Sequence, residues 1–165
     1  MGETPKFVRR REFPELPMVG VGGVVIDQGR ALLVRRATEP ALGEWTIPGG
    51  LLEVGETLTE GVEREIREET GLIVRTLDLI EALERIFSDS GEISGAAGVA
   101  RIRPRYHYII LDYLCERISG ELTPNAEISD LAFVREDELE AYQLTPVALR
   151  VLHRAFAMAR GRAGK

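Results

Sequence analysis

Glu65, Glu68 and Glu69 fall at i, i+3 and i+4 in the segment TLTEGVEREIREETG, so a helix there puts three carboxylates on one face. Left alone they repel one another. A hard divalent cation resolves the conflict, because Mg²⁺ takes oxygen ligands, keeps several waters and is commonly shared with substrate phosphates. The competing reading is a solvated helix laced with ion pairs, since Glu60 and Arg64, Glu63 and Arg67, and Arg64 and Glu68 have i, i+4 spacing. The preceding residues favour the metal. Pro48-Gly49-Gly50 permits a tight turn where a carbonyl could face the same ion, and Glu56 adds a carboxylate at the helix entrance.

The elements that must hold this face are legible around it. Thr57 and Glu60 have capping-box spacing, Gly71 sits where a helix would stop, and Leu58, Val62 and Ile66 form its buried stripe. Gly61 inside the helix implies close approach to neighbouring backbone. Upstream, VGVGGVVID and ALLVRR flank Gln28-Gly29-Arg30 as a β-hairpin. Downstream, LIVRTLDLIEALERIF reads as mostly strand, SDSGEISGAAGVARIRPR as a mobile loop, and RYHYIILDYLCER as a central strand covered on both faces. A short strand around Leu131 to Val134 and a helix in TPVALRVLHRAFAMAR close the chain. Residues 1–16, with Pro5 and Pro14 among Arg9, Arg10 and Arg11, suit an extended arm before a domain spanning 17–160. Strands on either side of an internal helix predict an α/β or α+β class with a mixed sheet between helices.

Composition narrows the setting. The 165 residues are 44% hydrophobic and 29% charged, ordinary for one globular domain. No stretch approaches the roughly 18 apolar residues of a membrane helix and MGETPKFVRR lacks a signal-peptide core, so the expected location is cytoplasmic, with no membrane partner. A net charge of −6 argues against nucleic acid as a partner. Cys115, the single cysteine, reads as a core thiol. An anionic substrate then needs local positive charge, from a metal or from arginine, since Lys6 and Lys165 are the only lysines.

Gly50, Glu56, Arg64, Glu65, Ile66, Glu68, Glu69, Gly71 and Leu72 fill every required position of the Nudix box, and the chain resembles the Nudix hydrolases from about Pro14 to Ala155. The stretches VVIDQGRALLVRR, LGEWTIPGG, YHYIILDYL and DELEAYQLTP are most similar to bacterial ADP-ribose pyrophosphatase-like members. The resemblance implies an α/β/α sandwich and Mg²⁺- or Mn²⁺-dependent hydrolysis of a nucleoside diphosphate linked to another moiety. By position, Glu65, Glu68 and Glu69 resemble the family's metal ligands, with the Gly50 carbonyl and Glu56 beside them. Arg64 resembles the residue that orients the box carboxylates through Glu56. The resemblance implies as base either a box glutamate, for which Glu65 is the candidate, or an acid from the later segment NAEISDLAFV, where Glu127 and Asp130 are candidates.

For the small-molecule nucleotide substrate, Arg35 and Arg36 are candidate phosphate contacts and Tyr106 and Tyr108 candidate base-stacking residues. Trp45 is expected to support the Pro48-Gly49-Gly50 turn, and His107 and His153 to be structural. No proline occurs between Gly71 and Ile102, where some ADP-ribose enzymes of the family carry one. A nucleoside triphosphate pyrophosphohydrolase of the sanitising or mutator type, and a non-catalytic nucleotide-sensing module, are the alternatives. A homodimer is compatible with the family.

Overall fold

A computed structural model describes residues 11–38, 41–89, 91–93 and 104–164. The first strand, β1 (Met18–Asp27), turns through Gln28 and Gly29 into β2 (Arg30–Arg36). Both turn residues have positive φ, +49° and +72°, the backbone of a type I′ hairpin whose twist matches its strands. Arg30, expected in the connection, opens β2 instead. The hairpin ladder is short, pairing Ile26 with Ala31 and Asp27 with Arg30. Beyond it the strands part: β1 runs parallel to β7 (Tyr106–Gly120), while β2 pairs with β8 (Ile128–Arg135) and with β3 (Trp45–Thr46).

The short β4 (Gly49–Leu51) lies antiparallel on the other flank of β1, opposing Gly50 to Val21 and Gly49 to Gly22. On the far side of β7 lies β5 (Leu72–Ser88), bulged near Ile73, Thr76 and Leu79, and then β6 (Gly91–Ile93). The expected mobile loop falls mostly outside the described residues, and its first residues belong to the β5–β6 return.

Helix α1 (Leu58–Thr70) starts at Thr57, whose hydroxyl accepts from the Glu60 N–H at 3.3 Å while Glu60 accepts from the Thr57 N–H at 2.8 Å. It stops at Gly71, left-handed at φ +76°, whose N–H closes on the Arg67 carbonyl at 2.9 Å. Val62 and Ile66 are buried against Val21, Val25 and Cys115, and Leu58 packs at the edge of this cluster. Each such aliphatic side chain contributes about 1.5–3 kcal/mol by leaving water. Gly61 is buried too, but a Cβ there would press on the Leu52 and Glu56 side chains rather than on backbone.

The opposite face of the sheet is covered by α2 (Pro146–Ala163), which buries Val151, Leu152, Ala155 and Phe156 against Val24, Ile80 and Leu114. A 3₁₀ helix, Glu136–Tyr142, leads into it, and Trp45 meets Tyr142 edge-on at 5.0 Å. Two apolar layers on one mixed sheet make the expected α/β/α sandwich, with β7 central in it. Cys115 is a core thiol, its pKa pushed up to about 12 by burial. Among the described residues no helix is long and apolar enough to cross a membrane.

Candidate active site

Glu69 belongs to the last turn of α1 and faces inward, 2% exposed. One carboxylate oxygen accepts from the Gly49 N–H at 2.9 Å, and the other lies 2.6 Å from Arg36 Nη1. Burial pushes its pKa up to about 7. The Gly49 N–H and the Arg36 charge oppose that rise, while the like charges of Glu65 and Glu127 add to it. Gly49 is required by close approach, since a Cβ would collide with the Val21 carbonyl oxygen and come within 2.8 Å of Gly22 Cα.

One turn earlier, Arg64 gathers the remaining box acids. Its Nε and Nη2 grip both oxygens of Glu56 at 2.6 and 3.0 Å, Nη1 reaches Glu65 at 2.8 Å and Glu68 at 3.2 Å, and Nη2 also donates to the Leu51 carbonyl at 3.1 Å. This fork holds the Glu56 carboxyl down to about 2 and raises the guanidinium's own pKa. Of the three helix pairs that spacing allows, Arg64 with Glu68 is the one formed among the described residues. Glu65 lies against β4, where a Cβ on Gly50 would meet its carboxylate at 2.5 Å. Its pKa is raised, first by burial, and Arg64 opposes the rise.

The other candidates divide. Arg36 is drawn into the site, and its Nη2 lies 3.6 Å from Glu127, which opens onto solvent. Arg35, one residue earlier, points away and donates to the Gly43 carbonyl at 3.0 Å. Asp130 lies opposite Arg35 in the β2–β8 ladder, is exposed, and caps the Leu131 N–H, without contact to the box acids. Strand alternation explains both, since neighbouring positions face opposite sides. Tyr106 and Tyr108 stack at 6.2 Å, 11° from parallel, with Phe87 edge-on to both. The Tyr106 hydroxyl is already bonded to Glu12, which also takes Arg105, so the end of the expected arm is tied to β7. His153 lies 3.1 Å from Glu136, far from the box.

Glu65, Glu68 and Glu69 offer the hard oxygen donors that a divalent cation takes. The upward pKa shifts of Glu65 and Glu69 show clustered, partly desolvated negative charge that the arginines do not compensate, which suits a cation. Among the described residues no three acidic, histidine or cysteine side chains converge on one point, because Arg36 and Arg64 hold these carboxylates.

Residues 16–155 match the NUDIX domain family, which spans nearly the whole chain. The chain belongs to the Nudix family. One Nudix relative, named ADP-ribose pyrophosphatase, from Methanocaldococcus jannaschii, is 30% identical over 135 residues, covering 79% of this chain and 72% of its own. A second, the nucleoside triphosphatase NudI of Escherichia coli K12, is 31% identical over 131 residues, covering 78% and 89%. Among solved structures, a MutT NUDIX hydrolase from Burkholderia pseudomallei superposes with a TM-score of 0.67 at 28% identity, over 85% of this chain and 98% of that one. The chain is therefore a Nudix hydrolase, of a family acting on nucleoside diphosphate derivatives with divalent metal ions.

Sequence reasoning missed two features. Arg36 is the direct partner of Glu69 as well as a candidate phosphate ligand; the two are 33 residues apart, and no local pattern joins them. Asp112 is a buried acid in the middle of β7, and its signal was available: a single charge inside the apolar run YIILDYLC.

Proposed function

We propose that this Nudix enzyme hydrolyses the diphosphate of an ADP-ribose-like nucleoside diphosphate derivative, with Mg²⁺ or Mn²⁺ held by Glu65, Glu68 and Glu69. The observation that carries the reading is Glu69: a nearly dry carboxylate, buttressed by Gly49 and Arg36, beside a second acid of raised pKa. The bound metal supplies charge neutralisation at the diphosphate and acidifies a water for attack on phosphorus.

The chain's own groups do the rest. Glu65, more basic than a free carboxylate, takes the proton of the attacking water, and Glu127, which opens onto solvent beside Arg36, is the alternative base. Arg64 keeps Glu65 and Glu68 in position through its grip on Glu56 and the Leu51 carbonyl. With Glu69 serving as a ligand to a bound ion, Arg36 would be available to bind a phosphate oxygen.

The name of the Methanocaldococcus relative supports the ADP-ribose preference, and that of the Escherichia relative supports a triphosphate substrate as second reading. A substrate panel with Mg²⁺ decides between them. Release of AMP and a sugar phosphate from ADP-ribose is the expected result; release of pyrophosphate from a nucleoside triphosphate replaces it with the second reading. Tight binding of ADP-ribose with no hydrolysis across the panel, under Mg²⁺ or Mn²⁺, would turn the reading to a sensing module.

A further inference from the structure

Of the two arginines that the sequence offered to substrate phosphates, the fold turns one away. Arg35 is held by the Gly43 carbonyl, and Arg64 is occupied by Glu56, Glu65, Glu68 and the Leu51 carbonyl. Among the candidate phosphate contacts, Arg36 alone remains at the box acids. A diphosphate presents two anionic groups to a chain of net charge −6, so a second fixed cation beside the first is expected.

The segment before β1 supplies one. Glu12 accepts from Arg105 Nη2 at 2.8 Å and from the Tyr106 hydroxyl at 2.7 Å, and the Phe13 N–H donates to the Arg105 carbonyl at 2.7 Å. The Arg105 N–H in turn donates to the Phe87 carbonyl at 2.7 Å, so this segment is fastened to the paired ends of β5 and β7. At Phe13 the chain turns with a φ of +53°, a left-handed backbone that a bulky side chain rarely adopts. Such strain persists only where the surrounding contacts impose it, and it gathers at ligand sites. Directly before the clamp stands Arg11, which is exposed. Glu12 answers the charge of Arg105, whereas Arg11 has no ion pair among the described residues.

Arg11 and Arg36 approach each other at Tyr108. That ring is half-buried, lies nearly parallel to Tyr106 and has Phe87 edge-on to it. Burial raises the pKa of its phenol, and the charges of Arg11 and Arg36 both oppose the rise, so both guanidinia lie inside the roughly 10 Å over which solvent leaves a charge unscreened. Outward from the box the order is Glu69, Arg36, Tyr108, Arg11. Packing accounts for the bonds of Glu12, which close over the aromatic cluster, but not for a second cation brought toward the first. Like charges held near one hydroxyl repel, and an anion between them removes the repulsion.

We propose that Arg11 is a substrate-binding residue, held by the Glu12 clamp across Tyr108 from Arg36, where it contacts the second phosphate of the diphosphate while Arg36 contacts the first. This rests on the nucleoside diphosphate reading above.

The test is calorimetric titration, with Mg²⁺ present, of AMP, which has one phosphate, and of α,β-methylene-ADP, which has two and cannot be hydrolysed at its bridge. Arg11→Gln is expected to weaken the two-phosphate ligand about tenfold and AMP less than about twofold. Equal losses for both ligands, or none, overturn the proposal, as does a wild type that binds the analogue no more tightly than AMP. Arg11 is exposed, so the thermal midpoint of the variant should stay at the wild-type value. Glu12→Ala opens the clamp and should reproduce most of the loss, with the double variant no weaker than Arg11→Gln alone. Additive losses, or an unchanged affinity in Glu12→Ala, overturn the role given to the clamp. With ADP-ribose as substrate, Arg11→Gln should raise KM about tenfold and leave kcat nearly unchanged. If wild type hydrolyses no member of the substrate panel while the dependence on phosphate number is found, the pyrophosphatase reading fails and Arg11 keeps its role.

Discussion

Arg36 Nη1 lies 2.6 Å from Glu69 Oε1, joining the end of β2 to the last turn of α1 across 33 residues of chain. The pair is unequal, since Glu69 keeps 3% of its side chain exposed and Arg36 16%. Removing the arginine leaves a dry carboxylate without its counter-charge. Arg36→Met should lower the stability of metal-free protein by about 2 kcal/mol, discounted from the roughly 3–5 kcal/mol of a fully buried pair. Millimolar Mg²⁺ should recover most of the loss by taking over the carboxylate. Urea unfolding with and without metal checks this, and an equal loss in both conditions would count against Glu69 as a metal ligand.

Glu69→Gln keeps the shape of the side chain and removes its charge. Turnover should fall at least a hundredfold while far-UV circular dichroism stays at the wild-type signal. Wild-type turnover in this variant would sink the site assignment.

Acid–base behaviour follows from two buried carboxyls. Glu69 and Asp112 both have folded pKa values near 7, above their ordinary 4.5 and 3.8. Between about pH 4 and 7 the folded chain therefore holds protons that the unfolded chain has released. Their contribution to stability is largest below that window and declines as pH rises through it. Glu56, held at about 2, acts in reverse, stabilising above its unfolded value and losing that as pH falls. Metal-free protein should thus lose stability from pH 5 to 7.5, and Asp112→Asn should flatten the slope. Thermal midpoints across that range test it; parallel curves for wild type and variant would contradict the burial argument.

Gly49→Ala should be costly although the change is one methyl group. The added Cβ collides with the Val21 carbonyl, so β4 must shift and the N–H bond to Glu69 lengthens. A loss of about 2 kcal/mol or more is expected, with weaker Mg²⁺ binding. Calorimetry and denaturant melts measure the two effects, and an unaltered metal affinity would separate the turn from the site.

The sequence carried the local part of this site well. Helix periodicity aligned Glu65, Glu68 and Glu69, and Thr57, Glu60 and Gly71 marked both ends of their helix. What it did not carry was set by strands brought together from far apart. Arg35 and Arg36 are equal as sequence, and only the facing of β2 sends one to the Gly43 carbonyl and the other to Glu69. Glu127 and Asp130 were likewise equivalent until the β2–β8 register put the first beside Arg36. Tyr106 read as a free stacking surface, yet Glu12, 94 residues away, occupies its hydroxyl.

The two faces of the sheet also bear on how such an enzyme can change over evolutionary time. Glu65 and Glu69 project from α1, whose packing is fixed by Val62 and Ile66, while Asp112 looks toward α2 from a different strand. Substitutions on the α2-facing side of β7 leave the packing of α1 untouched, since Tyr113 and Cys115 on the other side make the contacts with Val62 and Ile66. Mutations on the α2-facing side of β7 can therefore accumulate without moving the helix that carries Glu65 and Glu69.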